Sequence, residues 1–125
     1  LDAFARAKPV EPFWSLATSG RWTVGGYLYT PGGHHPDTSF RARMFAPQGG
    51  IPEDPATGSA TAILAAQFLA AGALVEGTNR FRLEQGYEMG RPSDLWMEAD
   101  LSVGRLAAVR VAGQAVTVMA GELTL

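Results

Sequence analysis

Residues 57–73 read TGSATAILAAQFLAAGA, and they form the one strong helical pattern in the chain. Within residues 60–75 only Thr61 and Gln67 are clearly polar, so this helix would be apolar on nearly every side. A helix of that kind is typical of a protein interior. The apolar run, interrupted by Gln67 and Gly72, is short for a membrane span. We therefore predict a central buried helix wrapped by a sheet.

The segments on both sides of this helix carry patterns typical of β-strands. Residues 39–46 alternate, with Arg41 and Arg43 on one face and apolar residues on the other. We predict a half-buried strand there, with both arginines on its exposed face. Several antiparallel strands around one helix indicate an α+β domain. Further strands are predicted at residues 23–30, 80–85, 94–100, 104–111, 115–120 and 122–125, with turns at 112–114 and 121.

The composition indicates one globular domain, because 46% of the 125 residues are hydrophobic and 18% are charged. The absence of cysteine excludes disulfide scaffolds, thiolate zinc sites and cysteine nucleophiles. A net charge of −2 argues against a broad nucleic-acid-binding surface. The chain begins at Leu1 and shows no signal peptide, so we expect a cytoplasmic domain that contacts no membrane and is a fragment or a free-standing half.

The loop before the helix, residues 47–55, has Gly or Pro at five of its nine positions. Pro55 suits the first helical position, which places Asp54 at the N-cap. The N–H groups of Gly58 and Ser59 then lie in the first turn, where they have no intrahelical acceptor and can bind an anion. Two roles stay open for Asp54. It either caps the helix, a contribution of about 1 kcal/mol, or handles protons for a carboxylate ligand.

Residues 43–60, RMFAPQGGIPEDPATGSA, strongly resemble the signature of the phenazine-biosynthesis isomerase family, the PhzF-like proteins. Residues 84–93, EQGYEMGRPS, resemble the second signature of this family, and residues 111–123 also fit. The resemblance implies one half of a diaminopimelate-epimerase-like fold, a curled, mostly antiparallel sheet (a partial barrel) around one central buried helix. Two such halves enclose the family's active site. Here residues 1–125 resemble the C-terminal half as a single domain, and the N-terminal half is absent.

The resemblance also implies roles for three residues. Asp54 matches the aspartate that this half contributes to catalysis, while Gly58 and Ser59 match positions whose N–H groups bind a substrate carboxylate. Glu53 belongs to the motif without a catalytic role that we can assign. The family's reaction is a cofactor-free relocation of a proton, so we expect no cofactor and no metal. The glutamate considered the principal acid/base belongs to the absent half, so we predict little or no isomerase activity from this chain alone.

Two alternatives concern what completes the cleft. The chain could be a non-catalytic half or split module that is retained for carboxylate binding or assembly. Two copies could also pair and imitate the full protein, each contributing one Asp54, and this favours a homodimer. The expected partners are therefore a small carboxylic acid and either the missing N-terminal half or a second copy.

The remaining chemically active residues have simpler interpretations. His34 and His35 are neighbours in a Gly/Pro-rich turn, which favours a solvated loop over a metal site. For Arg91, within the second signature, we predict a structural ion pair. The three tryptophans are predicted to pack in the core or at an interface; they are Trp14, Trp22 and Trp96.

Overall fold

A computed structural model describes residues 2–19 and 25–124 of the chain. The segment 20–24, with Trp22 and the predicted start of the first strand, lies outside the described residues. The elements in chain order are α1 (Asp2–Ala5), α2 (Phe13–Thr18), β1 (Gly26–Pro31), β2 (Phe40–Ala46), a 3₁₀ turn (Pro47–Gly49), β3 (Ile51–Asp54), α3 (Gly58–Ala70), β4 (Gly77–Gln85), β5 (Ser93–Ser102) and β6 (Arg105–Gly113).

The six strands form one sheet in the order β1-β2-β4-β5-β6, with β3 paired to β2 beside this path. All neighbours run antiparallel except β2 and β4, which are parallel. The predicted α+β class with a mostly antiparallel sheet is confirmed. This topology brings the end of β4 next to β2, and therefore close to the loop that leads into α3.

The core lies between α3 and one face of the sheet. Leu64, Ala65 and Phe68 of α3 pack against Leu83 and other apolar residues of β4 and β5. The interpretation of α3 as buried on nearly every side is wrong, because only one helical face meets the sheet. Ile63, on the opposite side, is 69% exposed. The alanine-rich sequence does not reveal which face of α3 is buried, since small residues are tolerated on either face.

The two ends of α3 both differ from the sequence-based prediction. The helix starts at Gly58 and ends at Ala70, three residues before the predicted end at Ala73. Gly72 adopts a φ of 66°, and its N–H bonds Leu69 O while the next N–H bonds Phe68 O. This pair of bonds is a Schellman motif, which ends the helix where glycine can adopt the left-handed conformation.

The opposite face of β2 is covered by the N-terminal segment. Arg43 is only 6% exposed, and its Nη1 donates to the carbonyl oxygens of Phe4 and Ala5 at 2.9 and 2.8 Å. Arg41 is also largely buried and pairs with Glu88 at 2.6 Å. The prediction of an exposed arginine face is therefore wrong. Alternation identified the two faces of the strand, but it does not reveal that a second layer covers the polar one.

Two tryptophans of the described residues are half-buried. Trp14 of α2 packs over Gly26, where a Cβ would come within 2.8 Å of the indole ring, and its Nε1 donates to Gln48. The lack of a side chain at Gly26 therefore allows the indole ring to pack against the backbone. Trp96 lies on the side of the sheet opposite α3, with the Arg82 guanidinium 6.0 Å from its ring centre.

The predicted strands are confirmed through residue 111 and wrong beyond it. Strand β6 continues through the predicted turn at 112–114 as far as Gly113. Residues 114–124 form no strand, and their apolar side chains are exposed, as with Val118 at 86%. A strand needs a neighbour to pair with, and within the described residues nothing pairs with this segment. No helix of the described residues is long and apolar enough to cross a membrane.

Candidate functional site

Asp54 is the last residue of β3, and its side chain is bound by a neighbouring hydroxyl rather than by the helix. The Thr57 hydroxyl donates to Asp54 Oδ2 at 2.6 Å. The N-cap residue of α3 is Thr57, so the prediction that placed Asp54 at the N-cap and Pro55 at the first helical position is wrong. The reason is that Asp54 stays in the sheet, where it pairs with Met44 of β2. Its carboxylate is thus not used for helix capping.

Among the residues that the structure describes, the first turn of α3 presents N–H groups with no hydrogen-bond partner. The first intrahelical bond runs from Thr61 N to Thr57 O at 3.0 Å, so the N–H groups of Gly58, Ser59 and Ala60 have no acceptor within the helix. Thr57 makes no side-chain cap to them. The positive end of the helix dipole lies at the same place. The two predicted backbone donors, Gly58 and Ser59, therefore lie at an uncapped helix start that follows Asp54 directly.

Gln85, at the end of β4, connects these two features. Its side chain is fully buried. Nε2 donates to Asp54 O at 2.7 Å and to Thr57 Oγ1 at 2.8 Å, while Oε1 accepts from Thr57 N at 3.1 Å and from the Tyr27 hydroxyl at 3.2 Å. Both donors and the acceptor of the amide are thus occupied, and a flipped amide would direct Nε2 at the Thr57 N–H. Gln85 was not among the predicted site residues, although it lies in the second signature.

Gly86 follows Gln85 and allows the site loop to approach the backbone of β4. Its φ is +80°, and a Cβ there would lie 2.2 Å from Arg91 O and 2.9 Å from Pro55 O. A side chain at this position would therefore clash with backbone atoms as well as strain φ. Gln85 and Gly86 thus have different structural roles: Gln85 bonds the loop before α3, and Gly86 leaves space for that loop to pack against β4.

Glu84 points to the other side of β4 and anchors the turn that contains the two histidines. Its fully buried carboxylate accepts from His34 N at 2.7 Å, His35 N at 2.8 Å and the Thr38 hydroxyl at 2.7 Å. Burial alone would raise the pKa of Glu84, but these three hydrogen bonds outweigh it and lower the pKa below its ordinary value. Both histidines are exposed, as predicted, and the His34 ring stacks on Tyr87.

Two further charged residues of the signatures differ in their contacts: among the described residues Glu53 has an ion-pair partner and Arg91 has none. Glu53 forms a two-bond ion pair with Arg43, at 2.8 and 2.9 Å. Hydrogen bonding to Glu53 raises the pKa of Arg43, and this pairing gives Glu53 a structural role. The ion pair predicted for Arg91 is wrong for the described residues, where Arg91 is exposed and its N–H bonds Gly86 O. Residues 2–19 and 25–124 contain no cluster of three metal-ligating side chains.

A cavity of about 310 Å³ adjoins the first turn of α3. Ser59, Ala60 and Ile63 line it from the helix, and Tyr27 and Met44 line it from the sheet. Burial raises the pKa of Tyr27, so its hydroxyl stays protonated at neutral pH. A cavity with apolar walls and a few polar groups is the usual form of a small-molecule site. Of the three predicted site residues, Ser59 lines this cavity, whereas Asp54 and Gly58 are not among its described lining residues. The cavity can therefore hold a small organic molecule against the first turn of α3.

These features define the chain as an α+β domain with a candidate small-molecule site at the start of α3. The sequence profile of the family described as "Phenazine biosynthesis-like protein" matches residues 23–121. The chain therefore belongs to this family.

Several proteins named as isomerases are similar to the chain. An uncharacterized isomerase of Mesorhizobium japonicum is 35% identical over 122 residues, which are 98% of this chain and 38% of that protein. The trans-2,3-dihydro-3-hydroxyanthranilate isomerase of Pseudomonas chlororaphis is 40% identical over 86 residues, 69% of this chain and 31% of that protein. The chain thus spans about a third of the length of these relatives.

A solved structure supports the fold. The phenazine biosynthesis protein of the PhzF family from Bacillus anthracis superposes with a TM-score of 0.57 over 72% of this chain and 34% of that chain, at 16% identity. At this level of identity the similarity shows the fold alone. The open six-stranded α+β architecture is accordingly that of a PhzF-family protein.

Proposed function

We propose that the chain acts as the C-terminal half of a cofactor-independent isomerase that binds a small carboxylic acid and moves a proton on it. In this proposal the N–H groups of Gly58 and Ser59 bind the carboxylate of the substrate. Asp54 holds or shuttles a proton, which leaves one atom of the substrate and returns to another. The isomerase names of the relatives support this reaction class. The single observation that carries the proposal is the side chain of Asp54, left uncommitted to capping beside an uncapped helix start.

Binding of an aromatic carboxylate is the first test, with benzoate as the probe. We expect benzoate to shift the amide resonances of Gly58 and Ser59 in an NMR titration. The Ser59→Pro variant removes one N–H without breaking an intrahelical bond, because proline is tolerated in a first turn. It should weaken binding at least about tenfold, as expected for a lost charge-assisted hydrogen bond.

The matched control for this titration is Ser59→Ala, which keeps the N–H and changes only the hydroxyl. It should bind benzoate within about twofold of wild type, well below the cost of one hydrogen bond. Equal affinity of wild type and Ser59→Pro would show that the first turn of α3 is not the carboxylate site.

Turnover tests the catalytic part of the proposal. The chain alone should not convert trans-2,3-dihydro-3-hydroxyanthranilate, because a proton-transfer catalyst needs its principal base within reach of the proton. Adding the unmatched portion of the Pseudomonas chlororaphis isomerase as a separate chain should produce turnover. Asp54→Asn should then lower kcat by about 10²-fold or more, and the surface variant Glu122→Gln should not. Turnover by the isolated chain contradicts the proposal. If no turnover is seen either with or without the added portion, the result favours a non-catalytic carboxylate-binding module.

The partner that completes the cleft is either an N-terminal half or a second copy of this chain. The relatives are about three times as long as the matched segment, which supports the need for a partner. A homodimer would bring two Asp54 residues to one cleft. Light scattering separates the cases, because a monomeric mass at micromolar concentration contradicts the homodimer.

A further inference from the structure

The N-cap residue of α3 has an unusual arrangement. Threonine is a preferred N-cap residue, because its side-chain oxygen normally accepts a hydrogen bond from the second or third N–H of the helix. In α3 those groups belong to Ser59 and Ala60. Thr57 nevertheless makes no such bond, although it occupies the N-cap position. Something must therefore hold its hydroxyl away from the helix.

Two contacts account for this diversion. Gln85 Nε2 donates to Thr57 Oγ1 at 2.8 Å, and the hydroxyl donates its own proton to Asp54 Oδ2 at 2.6 Å. The orientation of the Gln85 amide is itself fixed, because Oε1 accepts from Thr57 N and Nε2 also donates to Asp54 O. Gln85 thus binds both ends of the turn between β3 and α3, and it is buried so that water does not compete for these bonds.

We propose that Gln85 is a positioning residue that keeps α3 uncapped, by holding the Thr57 hydroxyl away from the first-turn N–H groups that receive the substrate carboxylate. This role rests on the proposed function, to which it adds the residue that keeps the anion site open. Gln85 has no hydrogen-bonding capacity left for a ligand, so it acts through Thr57 and not on the substrate. Without Gln85, Asp54 alone holds the Thr57 hydroxyl, and the oxygen lone pair released by Nε2 becomes available to cap the helix, where it competes with the bound acid.

A cycle of single and double variants tests this role by NMR on the chain, with benzoate as the probe. Gln85→Leu should weaken benzoate binding about fivefold, which corresponds to the roughly 1 kcal/mol of a threonine N-cap. Thr57→Val alone should bind benzoate like wild type, because valine has no oxygen with which to cap the helix. The double variant Gln85→Leu/Thr57→Val should recover the wild-type affinity. A role that is merely structural would make the double variant at least as weak as Gln85→Leu.

Two further variants control for loss of stability. Asn79→Leu removes another buried amide of β4, which bonds Val75 and Ala99 at the far end of the strand, and it should leave benzoate affinity unchanged. If Gln85→Leu does not fold, Gln85→Asn replaces it, since its shorter side chain cannot hold both Asp54 O and Thr57 Oγ1. The same loss, and the same recovery with Thr57→Val, are expected.

The amide protons of Ser59 and Ala60 provide a readout that needs no ligand. In Gln85→Leu one of them should shift downfield as it gains the Thr57 oxygen, and Thr57→Val should reverse the shift. If wild type does not bind benzoate, the proposed anion site fails, but this signature still decides the role of Gln85. Unchanged amide shifts in a folded Gln85 variant would overturn it.

Discussion

Replacing Glu84 with glutamine is expected to lower the free energy of unfolding by about 3 kcal/mol at pH 7. The carboxylate accepts hydrogen bonds from His34, His35 and Thr38 while fully buried. Hydrogen bonds to a charged group contribute about 1.5–3 kcal/mol each. The amide of glutamine keeps some of these contacts, but its NH₂ must face at least one of the donors, which then stays buried and unsatisfied.

The same carboxylate should make stability depend on acidity. The pKa of Glu84 in the folded chain lies below its ordinary value of 4.5, because the three donors outweigh the effect of burial. A lowered folded-state pKa means that the unfolded chain binds the proton first as the pH falls. The contribution of Glu84 is therefore complete above about pH 4.5 and is lost as the pH falls through the folded-state pKa.

Urea unfolding followed by tryptophan fluorescence measures both effects. The difference between wild type and Glu84→Gln should be largest at pH 7 and should shrink at about pH 3. Glu122→Gln is the matched control, because Glu122 is exposed and its loss should change stability by less than about 0.5 kcal/mol at either pH. A loss below about 1 kcal/mol for Glu84→Gln, or a difference that does not change with pH, contradicts this account.

The sequence predicts the local elements of this fold better than it predicts how they are covered. Alternation placed β2 correctly, and the long apolar run placed α3 within a few residues. Neither pattern reports what packs on the other side. Arg43 was assigned to an exposed face because it is charged, yet its guanidinium donates four hydrogen bonds, two to the backbone of residues 4 and 5 and two to Glu53. Burial of such a group depends on contacts between distant segments, which periodicity does not contain.

The candidate site shows the same division. Gly58 and Ser59 lie in the first turn of α3 as predicted, because a helix start follows from local sequence. The predicted N-cap, Asp54, lies three residues before the observed one, Thr57. The reason is that Asp54 pairs with β2 as part of β3 and is therefore not available for capping. Gln85 could not be assigned from its neighbours alone. Its partners Thr57 and Asp54 lie 28 and 31 positions away, and the parallel pairing of β2 and β4 brings them together.

Truncation of Phe68 should destabilise the chain by about 3–5 kcal/mol, the usual cost of removing a buried phenylalanine. Phe68 is 5% exposed, and the rings of Tyr29, Phe40 and Phe81 lie within 5.9 Å of it. Phe68→Ala therefore removes apolar burial and also leaves a cavity between α3 and the sheet. Thermal or urea unfolding measures the loss directly.

Ile63→Ala on the same helix tests whether α3 is buried on one face, as in the structure, or on nearly every face, as the apolar sequence predicts. A helix buried on every side would lose about 2–5 kcal/mol at either position. In this fold Ile63 is 69% exposed, so its truncation removes little buried area, and alanine is the better helix former. We expect a change within about 0.5 kcal/mol for Ile63→Ala. Large losses at both positions would mean that something covers the outer face of α3 in solution, and a partner half or second copy would then be the first candidate.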